Sequence, residues 1–323
     1  MQHAGIIGVG SVSRHHLEAV ENIPTAQLVA VADTNTEALD RARNRYGCTP
    51  YADYRDLLQD DRIDLVIICL PHFLHMEATV VALEAGKHVF VEKPMAITVE
   101  QCDRMIEAAR KYRKQLSVGH MHHFFPANVE VKRLLDNGEF GSLVMIREEG
   151  YRPFGTEGRA KWYFDRATQG GLWYQNGIHL IDRSSWWVGS RVKAVKALVD
   201  SRFHDFSADD VAMAMLHFEN GVFATLIHVW WKSGATHATT EFICTEGMIK
   251  LDGQKIWTAR TGPYEPHPVP DTTNAFDRQL EAFITAIEEN TTPPVTPEYA
   301  RDLVRTLIAC EESARTGREV VIG

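Results

Sequence analysis

Ala4-Gly5-Ile6-Ile7-Gly8-Val9-Gly10-Ser11-Val12-Ser13 is the stretch that decides the fold. An apolar run breaks at a glycine, passes a second glycine and opens an amphipathic segment over Val12–Asn22. In that frame Gly8 permits a tight turn, Gly10 lets the backbone approach a pyrophosphate, and the helix start offers free N–H groups and a positive dipole end. Ser13 stands where a third glycine is usual, and is still small enough for close helix packing. The loop Gly8, Gly10, Ser11 and Val12 is therefore a candidate dinucleotide site.

The same grammar continues for about 120 residues. Apolar runs Leu28–Ala32, Leu65–Leu70, His88–Val91 and Leu116–Val118 alternate with amphipathic stretches Thr36–Tyr46, Tyr54–Gln59, His75–Ala85 and Thr98–Tyr112. Leu65–Leu70 is apolar throughout instead of alternating, as in a strand covered on both faces. Thr98-Val99-Glu100-Gln101 reads as a capping box, and Gly47 and Gly86 as helix stops. Repeated β-α-β units of this kind imply a doubly wound parallel sheet, a Rossmann domain over residues 1–122. Asp33, with Thr34 after it, ends the second strand, where a carboxylate hydrogen-bonds ribose hydroxyls and repels a 2′-phosphate. No arginine follows to offset that charge, so NAD is expected over NADP.

From about residue 123 the pattern changes to long strand-like runs with turn signals: Leu143–Gly150, Val192–Arg202, Asp209–Phe218, Val222–Trp231, His237–Cys244 and Met248–Leu251. Asn220-Gly221 is a hairpin signal between two of them. With helices at Asn128–Asp136, Gly177–Trp187, Ala275–Glu289 and Pro297–Thr316, the region 123–323 reads as an α+β domain. It carries a large, mostly antiparallel open sheet, and its last helix is free to pack back on the first domain.

Two further motifs bear on chemistry. Glu92-Lys93-Pro94 follows the strand at His88–Val91, and a lysine there serves as acid or base when burial and neighbouring cations lower its pKa. Downstream, a helix beginning near Gln175 would set Gln175, His179 and Asp182 on one face, with His179 able to exchange a proton near neutrality. Tyr151, Trp162 and Asn176 lie near this second motif, and flat aromatic faces suit the C–H faces of sugars. Leu70, Pro71 and His75, after the fourth strand, are expected to line the cofactor crevice. His15 and His16 read as surface or packing residues of the first helix, and Trp230-Trp231 as sheet packing or a subunit contact. No carboxylate or cysteine completes a set with His120, His122 and His123, so no metal is expected.

These motifs together resemble the glucose–fructose oxidoreductase and inositol 2-dehydrogenase family, Gfo/Idh/MocA. The resemblance rests on Gly5–Gly10, His75 through Ala85-Gly86-Lys87-His88, Glu92-Lys93-Pro94, Gly171–Asp182 and Glu312–Gly317, and so covers nearly the whole chain. It implies a substrate-binding second domain whose open sheet forms a homodimer or homotetramer. It also implies that Lys93 and His179 are the catalytic pair, with Glu92 and Lys93 near the nicotinamide and His120, after the last Rossmann strand, facing the cofactor. Gln175 departs from the family pattern, where an aspartate commonly stands; glutamine cannot take a proton, so it is assigned to substrate orientation. The expected activity is NAD-dependent hydride transfer from a secondary alcohol of a sugar or cyclitol, with a non-catalytic NAD-binding regulator and an NAD-dependent glycosidase as alternatives.

Composition fits that reading. The chain has 323 residues, room for two domains, with 45% hydrophobic and 24% charged residues. A net charge of −9 argues against nucleic acid or an anionic membrane as partner, and no apolar run approaches a bilayer span. Five scattered cysteines and no basic-headed leader point to a cytoplasmic protein with free thiols.

Overall fold

The computed structural model describes residues Met1–Gly323, which form two compact units: Met1–Met121 with Asn274–Arg301, and His122–Thr273 with Asp302–Gly323. The first unit thus takes in Asn274–Arg301, which the sequence reading placed in the second domain.

In the first unit, β1 (Gln2–Ile7), β2 (Ala26–Ala32), β3 (Thr49–Tyr51), β4 (Leu65–Ile68), β5 (His88–Glu92) and β6 (Leu116–Gly119) alternate with α1 (Ser13–Asn22), α2 (Thr36–Tyr46), α3 (Tyr54–Leu58), α4 (His75–Glu84) and α5 (Val99–Tyr112). The strands are all parallel, in the order β3-β2-β1-β4-β5-β6. This is the doubly wound order whose direction reverses between β1 and β4, opening a crevice at their carboxyl ends. Leu65, Val66, Ile67 and Ile68 are all fully buried, which accounts for the unbroken apolar run.

Local signals set the helix limits. The Thr98 side chain accepts Gln101 N–H to start α5, while Gln101 Oε1 reaches back to Ile97 N–H. Gly47 ends α2 at φ 68°, in the left-handed region. After the second sheet, α8 (Ala275–Glu289) returns to this unit. Its Leu280, Phe283 and Ile284 lie among Ala4, Ile6, Val20 and Phe90, with the rings of Phe283 and Phe90 5.8 Å apart. The chain continues into α9 (Pro297–Thr316).

The second unit holds α6 (Pro126–Asp136), β7 (Leu143–Pro153), α7 (Ile178–Val188), β8 (Val192–Asp200), β9 (Val211–Phe218), β10 (Phe223–Trp231), β11 (His237–Cys244), β12 (Gly247–Asp252), β13 (Lys255–Ala259), β14 (Glu265–His267) and β15 (Val320–Val321). These strands form a nine-stranded sheet, β14-β13-β12-β11-β7-β10-β9-β8-β15. It is antiparallel except where β7 runs parallel to β10. Gly221, at φ 88°, turns the expected hairpin between β9 and β10. One face is covered by α6 and α7, where Trp187 meets Phe242 edge-on at 4.8 Å. The other leaves Leu198, Met213, Met215 and Phe223 exposed. No helix is long and apolar enough to cross a membrane.

Because Phe283 is fully buried in the core of the first unit, Phe283→Ala should cost about 3–5 kcal/mol. Urea denaturation followed by tryptophan fluorescence and far-UV circular dichroism checks this; a loss under about 1 kcal/mol would show that α8 is not integral to that core.

Candidate active site

The glycine loop has the features that a dinucleotide requires. Gly8 adopts φ +90°, and a Cβ there would lie 2.6 Å from the Cys69 carbonyl oxygen, so only glycine fits. Nothing lies within 4 Å of a Cβ built on Gly10, leaving its backbone open to a ligand. The Ser13 hydroxyl donates to the Gly10 carbonyl at 2.7 Å and closes the turn. Val12, at the start of α1, contributes no capping side chain and the first turn has no acidic residue, so this helix end keeps its positive character for an anion. Asp33 accepts Val9 N–H at 2.7 Å and Asn35 N–H at 2.8 Å, tying the loop to the end of β2. Thr34 is exposed beside it. The residues present fit a pyrophosphate and a ribose.

Glu92-Lys93-Pro94 closes β5 on the same, carboxyl side of the parallel sheet, with a cis peptide between Lys93 and Pro94. The buried Glu92 carboxylate receives His16 Nε2 at 2.7 Å and the Lys93 N–H at 3.2 Å. Burial works to raise its pKa; the His16 hydrogen bond and charge, with Lys93, outweigh this and hold the group below its usual range. Gly119 in β6 leaves the space, since a Cβ there would lie 3.1 Å from the carboxyl carbon. His16 is therefore more than the packing residue expected from the sequence. Lys93 itself is half-buried.

The ring nitrogens of His75 lie between two backbone carbonyls, Nδ1 2.9 Å from that of Pro94 and Nε2 2.8 Å from that of Leu70, and a neutral ring donates to one of them. Its burial lowers its pKa. Leu70 and Pro71 are half-buried at that turn. His120 is completely buried, edge-on to Tyr299 at 6.4 Å. Of the residues expected at the cofactor, the structure thus sets the glycine loop, Asp33, Leu70, Pro71, Glu92 and Lys93 at the carboxyl ends of their strands, while His75 is spent on backbone and His120 is enclosed.

The second motif lies beside a cavity of about 310 Å³ within the second unit, lined by His122, Arg152, Asn176, His179, Arg183 and His228 among others. Gly171, at φ +100°, passes within 2.5 Å (from its would-be Cβ) of Asp209 Oδ1, and Asp209 Oδ2 accepts Trp173 N–H at 2.7 Å. Residues Trp173–Gly177 then form a π-helical turn before α7, with Gly177 making room for the Trp173 ring, 2.2 Å from a Cβ built there. That wider turn sets Gln175 out of the 3.6-residue period, while His179 and Asp182 keep their i, i+3 spacing within α7. His179 and Asn176 line the cavity; Gln175 is buried and does not. Asp182 is bonded to His123 Nε2 at 2.8 Å, and the His123 ring stacks on Trp186 at 4.5 Å.

Other expectations are redistributed. The Trp162 ring lies 4.2 Å from that of Tyr163, tilted by 37°, and Trp162 does not line the cavity. Tyr151 lines the cavity, but its hydroxyl donates to Glu149 at 3.0 Å and its ring stacks on His237 at 5.5 Å. The sequence reading passed over His228 and Arg183, and took Trp230 for packing or a subunit contact. Trp230 Nε1 donates to Asn176 Oδ1 at 3.1 Å. Inward alternation of Ala224, Leu226, His228 and Trp230 along β10 was the available signal. No group of three or more His, Cys, Asp or Glu side chains is arranged to hold a metal.

Comparison with known proteins agrees with this arrangement. Residues 2–120 match the family model described as an oxidoreductase family with an NAD-binding Rossmann fold, and residues 128–250 match the GFO/IDH/MocA C-terminal domain. An uncharacterized oxidoreductase, YrbE, of Bacillus subtilis is 27% identical over 98% of this chain and 96% of its own length. Inositol 2-dehydrogenase of Salmonella typhimurium is 32% identical over 60% of this chain and 56% of its own length. The crystal structure of aldose-aldose oxidoreductase from Caulobacter crescentus superposes with a TM-score of 0.91, covering 99% of both chains at 24% identity.

The Asp209 anchor gives a measurable signature. Burial pushes its carboxyl up to about 7. A carboxyl whose folded pKa lies above its unfolded value stabilises fully below the unfolded pKa and loses that contribution as pH rises through the folded one. Between pH 5 and 8 the wild type should therefore lose about 3 kcal/mol relative to Asp209→Asn, which keeps an acceptor for Trp173 N–H. Urea unfolding of both proteins at the two pH values tests this; parallel pH dependence would place the titration elsewhere.

Proposed function

The chain belongs to the Gfo/Idh/MocA oxidoreductase family, and from that premise we propose that it is an NAD-dependent dehydrogenase acting on a secondary alcohol of a sugar, sugar derivative or cyclitol. The observation that carries this reading is Lys93, held at the carboxyl end of β5 by the buried Glu92–His16 pair, on the same side of the parallel sheet as the glycine loop. The inositol dehydrogenases among its relatives support the substrate class.

Gly8, Gly10, Ser11 and Val12 hold the pyrophosphate at the start of α1, and Asp33 with Thr34 takes the adenosine ribose. Leu70, Pro71 and Glu92 line the crevice toward the nicotinamide. When bound, the nicotinamide supplies the acceptor for hydride. Lys93 takes the hydroxyl proton in the oxidative direction and returns it in the reductive one, with His179 as its partner in acid–base work; such help is worth about 10²–10⁴-fold in rate. Asn176 orients the substrate. Gln175, buried behind the lining, supports this segment without contributing a proton.

The exposed apolar stripe of Leu198, Met213, Met215 and Phe223 belongs to the outward side of β8, β9 and β10, where Leu198 pairs with Met213. We assign it to contact with a second copy, giving a homodimer or, with another face, a homotetramer. All five cysteines are free, in keeping with work in the cytoplasm.

Incubation with NAD+ and a panel of polyols, aldoses and sugar acids should generate NADH with at least one of them; glycoside cleavage without net NADH, or no turnover of any compound, would favour the glycosidase or the regulator. Lys93→Met should lower kcat by about 10²–10⁴-fold while NAD binding, followed by protein fluorescence, stays within a few-fold. Near-normal turnover in that variant refutes the role of Lys93. The Asp33 carboxylate should make the Michaelis constant for NAD lower than that for NADP by about tenfold or more, and Asp33→Ser should narrow that gap; a preference of the wild type for NADP defeats the cofactor assignment.

A further inference from the structure

We propose that the cavity of the second unit contains a carboxylate subsite built from Arg152, Asn176 and His228, so that the substrate is an acidic sugar or cyclitol and not a neutral polyol. This deepens the dehydrogenase reading and rests on it for the reaction, though not for the binding.

The inner face of this cavity is rich in cations and hydrogen-bond donors, and its anions are already committed. Arg183 is bonded to the buried Glu148. Glu149, a carboxylate that lines the cavity, is engaged by Arg147 at 3.5 Å, by His237 at 3.9 Å and by the Tyr151 hydroxyl. Arg152, on the inner face, has no carboxylate partner. Its Nη2 donates to Asn176 Oδ1 at 2.7 Å, and Trp230 Nε1 donates to the same oxygen. Two donors on one carbonyl oxygen fix the Asn176 amide, so its NH2 group faces away from both and is left to donate elsewhere.

A second cation reinforces the field. Trp230 stacks on Phe154 at 3.7 Å, with the Arg152 guanidinium 5.9 Å from the Trp230 ring and that of Arg159 4.3 Å over Phe154. Arg159 donates to the Gly155 carbonyl and has no carboxylate either. Partial desolvation first, and then the charge of Arg159, lower the Arg152 pKa, although the side chain is exposed at the cavity mouth and stays charged. Two like charges bracketing one aromatic pair mark a place where an anion is favoured.

His228 supplies the independent observation. Both its ring nitrogens are shut off from solvent, and neither has a hydrogen-bond partner within the protein. It stands opposite Gly150 in register, and a Cβ on Gly150 would come within 2.6 Å of His228 Nδ1. The glycine thus makes the slot in which the imidazole lies. An enclosed polar ring without partners is costly to keep unless a ligand satisfies it. Burial, followed by the charges of Arg152 and Arg183, pushes its pKa down to about 3, so the ring is neutral and offers one N–H. A carboxylate accepting from Arg152 and Asn176 would satisfy both, and His228 joins them when its ring turns in the Gly150 slot to bring the N–H to the cavity. The cavity volume of about 310 Å³ suits a ligand of hexose size.

The test compares D-glucuronate with D-glucose and D-gluconate with myo-inositol, measured by equilibrium binding to the NADH-loaded protein and by NADH formation with NAD+. At least one acid should bind at least 100-fold more tightly than its neutral counterpart and weaken as KCl is raised. Arg152→Gln, which keeps the bond to Asn176 and removes the charge, should weaken the acid at least 30-fold and the neutral compound less than threefold. Arg152→Lys should recover part of the loss. Equal binding of acid and neutral compound, no binding of any acid, or an equal effect of Arg152→Gln on both overturns the subsite. NADH from neutral polyols alone overturns the subsite and leaves the dehydrogenase reading standing; Arg152-dependent acid binding without turnover of any compound does the reverse.

Discussion

The buried hydrogen bond between Glu92 and His16 is the constraint on which the first unit's chemistry depends. Glu92 ends β5 and precedes the lysine; His16 lies one turn inside α1, the helix whose amino end faces the glycine loop. One 2.7 Å contact therefore ties the first turn of α1 to the lysine's backbone. The enclosure that makes a carboxylate costly is offset by the imidazole and by the Lys93 N–H, and a buried pair so satisfied holds its geometry tightly. His75 works in parallel from the other side, on the carbonyls of Leu70 and Pro94. Lys93 is thereby placed by backbone fixed on two sides, not by its own long side chain.

The second unit solves a different problem with one sheet that has two occupations. Along β7 and β10 alternate residues face opposite ways: Glu148, Gly150, Arg152, His228 and Trp230 toward the helices, and Arg147, Glu149, Tyr151 and Phe223 away from them, with Glu149 and Tyr151 reaching the rim of the cavity. The parallel register of β7 against β10 sets His228 beside Gly150 and Trp230 beside Arg152. A slip of one residue would send the cavity wall to the other surface, so the exposed apolar stripe and the polar pocket are specified by the same pairing.

Much of this was legible in the chain. The strand and helix limits of the first unit follow from local signals, such as Thr98 capping α5 and Gly47 closing α2, and the structure departs from them by only a few residues. The glycine loop, Asp33 and the Glu92-Lys93-Pro94 motif declared themselves because each sits where an apolar run stops. What local reading missed is what distance in sequence creates. The pairing of β7 with β10, the return of α8 to the first core, and the partnership of His16 with Glu92 join residues from 76 to more than 200 positions apart or depend on strand order. Short β3, β13, β14 and β15 carry too few residues for alternation to show. His228 was overlooked because a single histidine in an apolar strand resembles packing until Gly150 is seen across from it.

The π-helical turn at Trp173–Gly177 has a consequence for how such proteins diverge. A turn of this kind holds one residue more than an α-helical turn, and each residue advances a helix by about 100°. Removing a single residue here would rewind the segment and rotate everything before it relative to His179, exchanging the side chains offered to a ligand without altering any of them. Segment length, and not only residue identity, is then a heritable determinant of selectivity, so that a one-residue gap at this point between two relatives would outweigh several substitutions elsewhere.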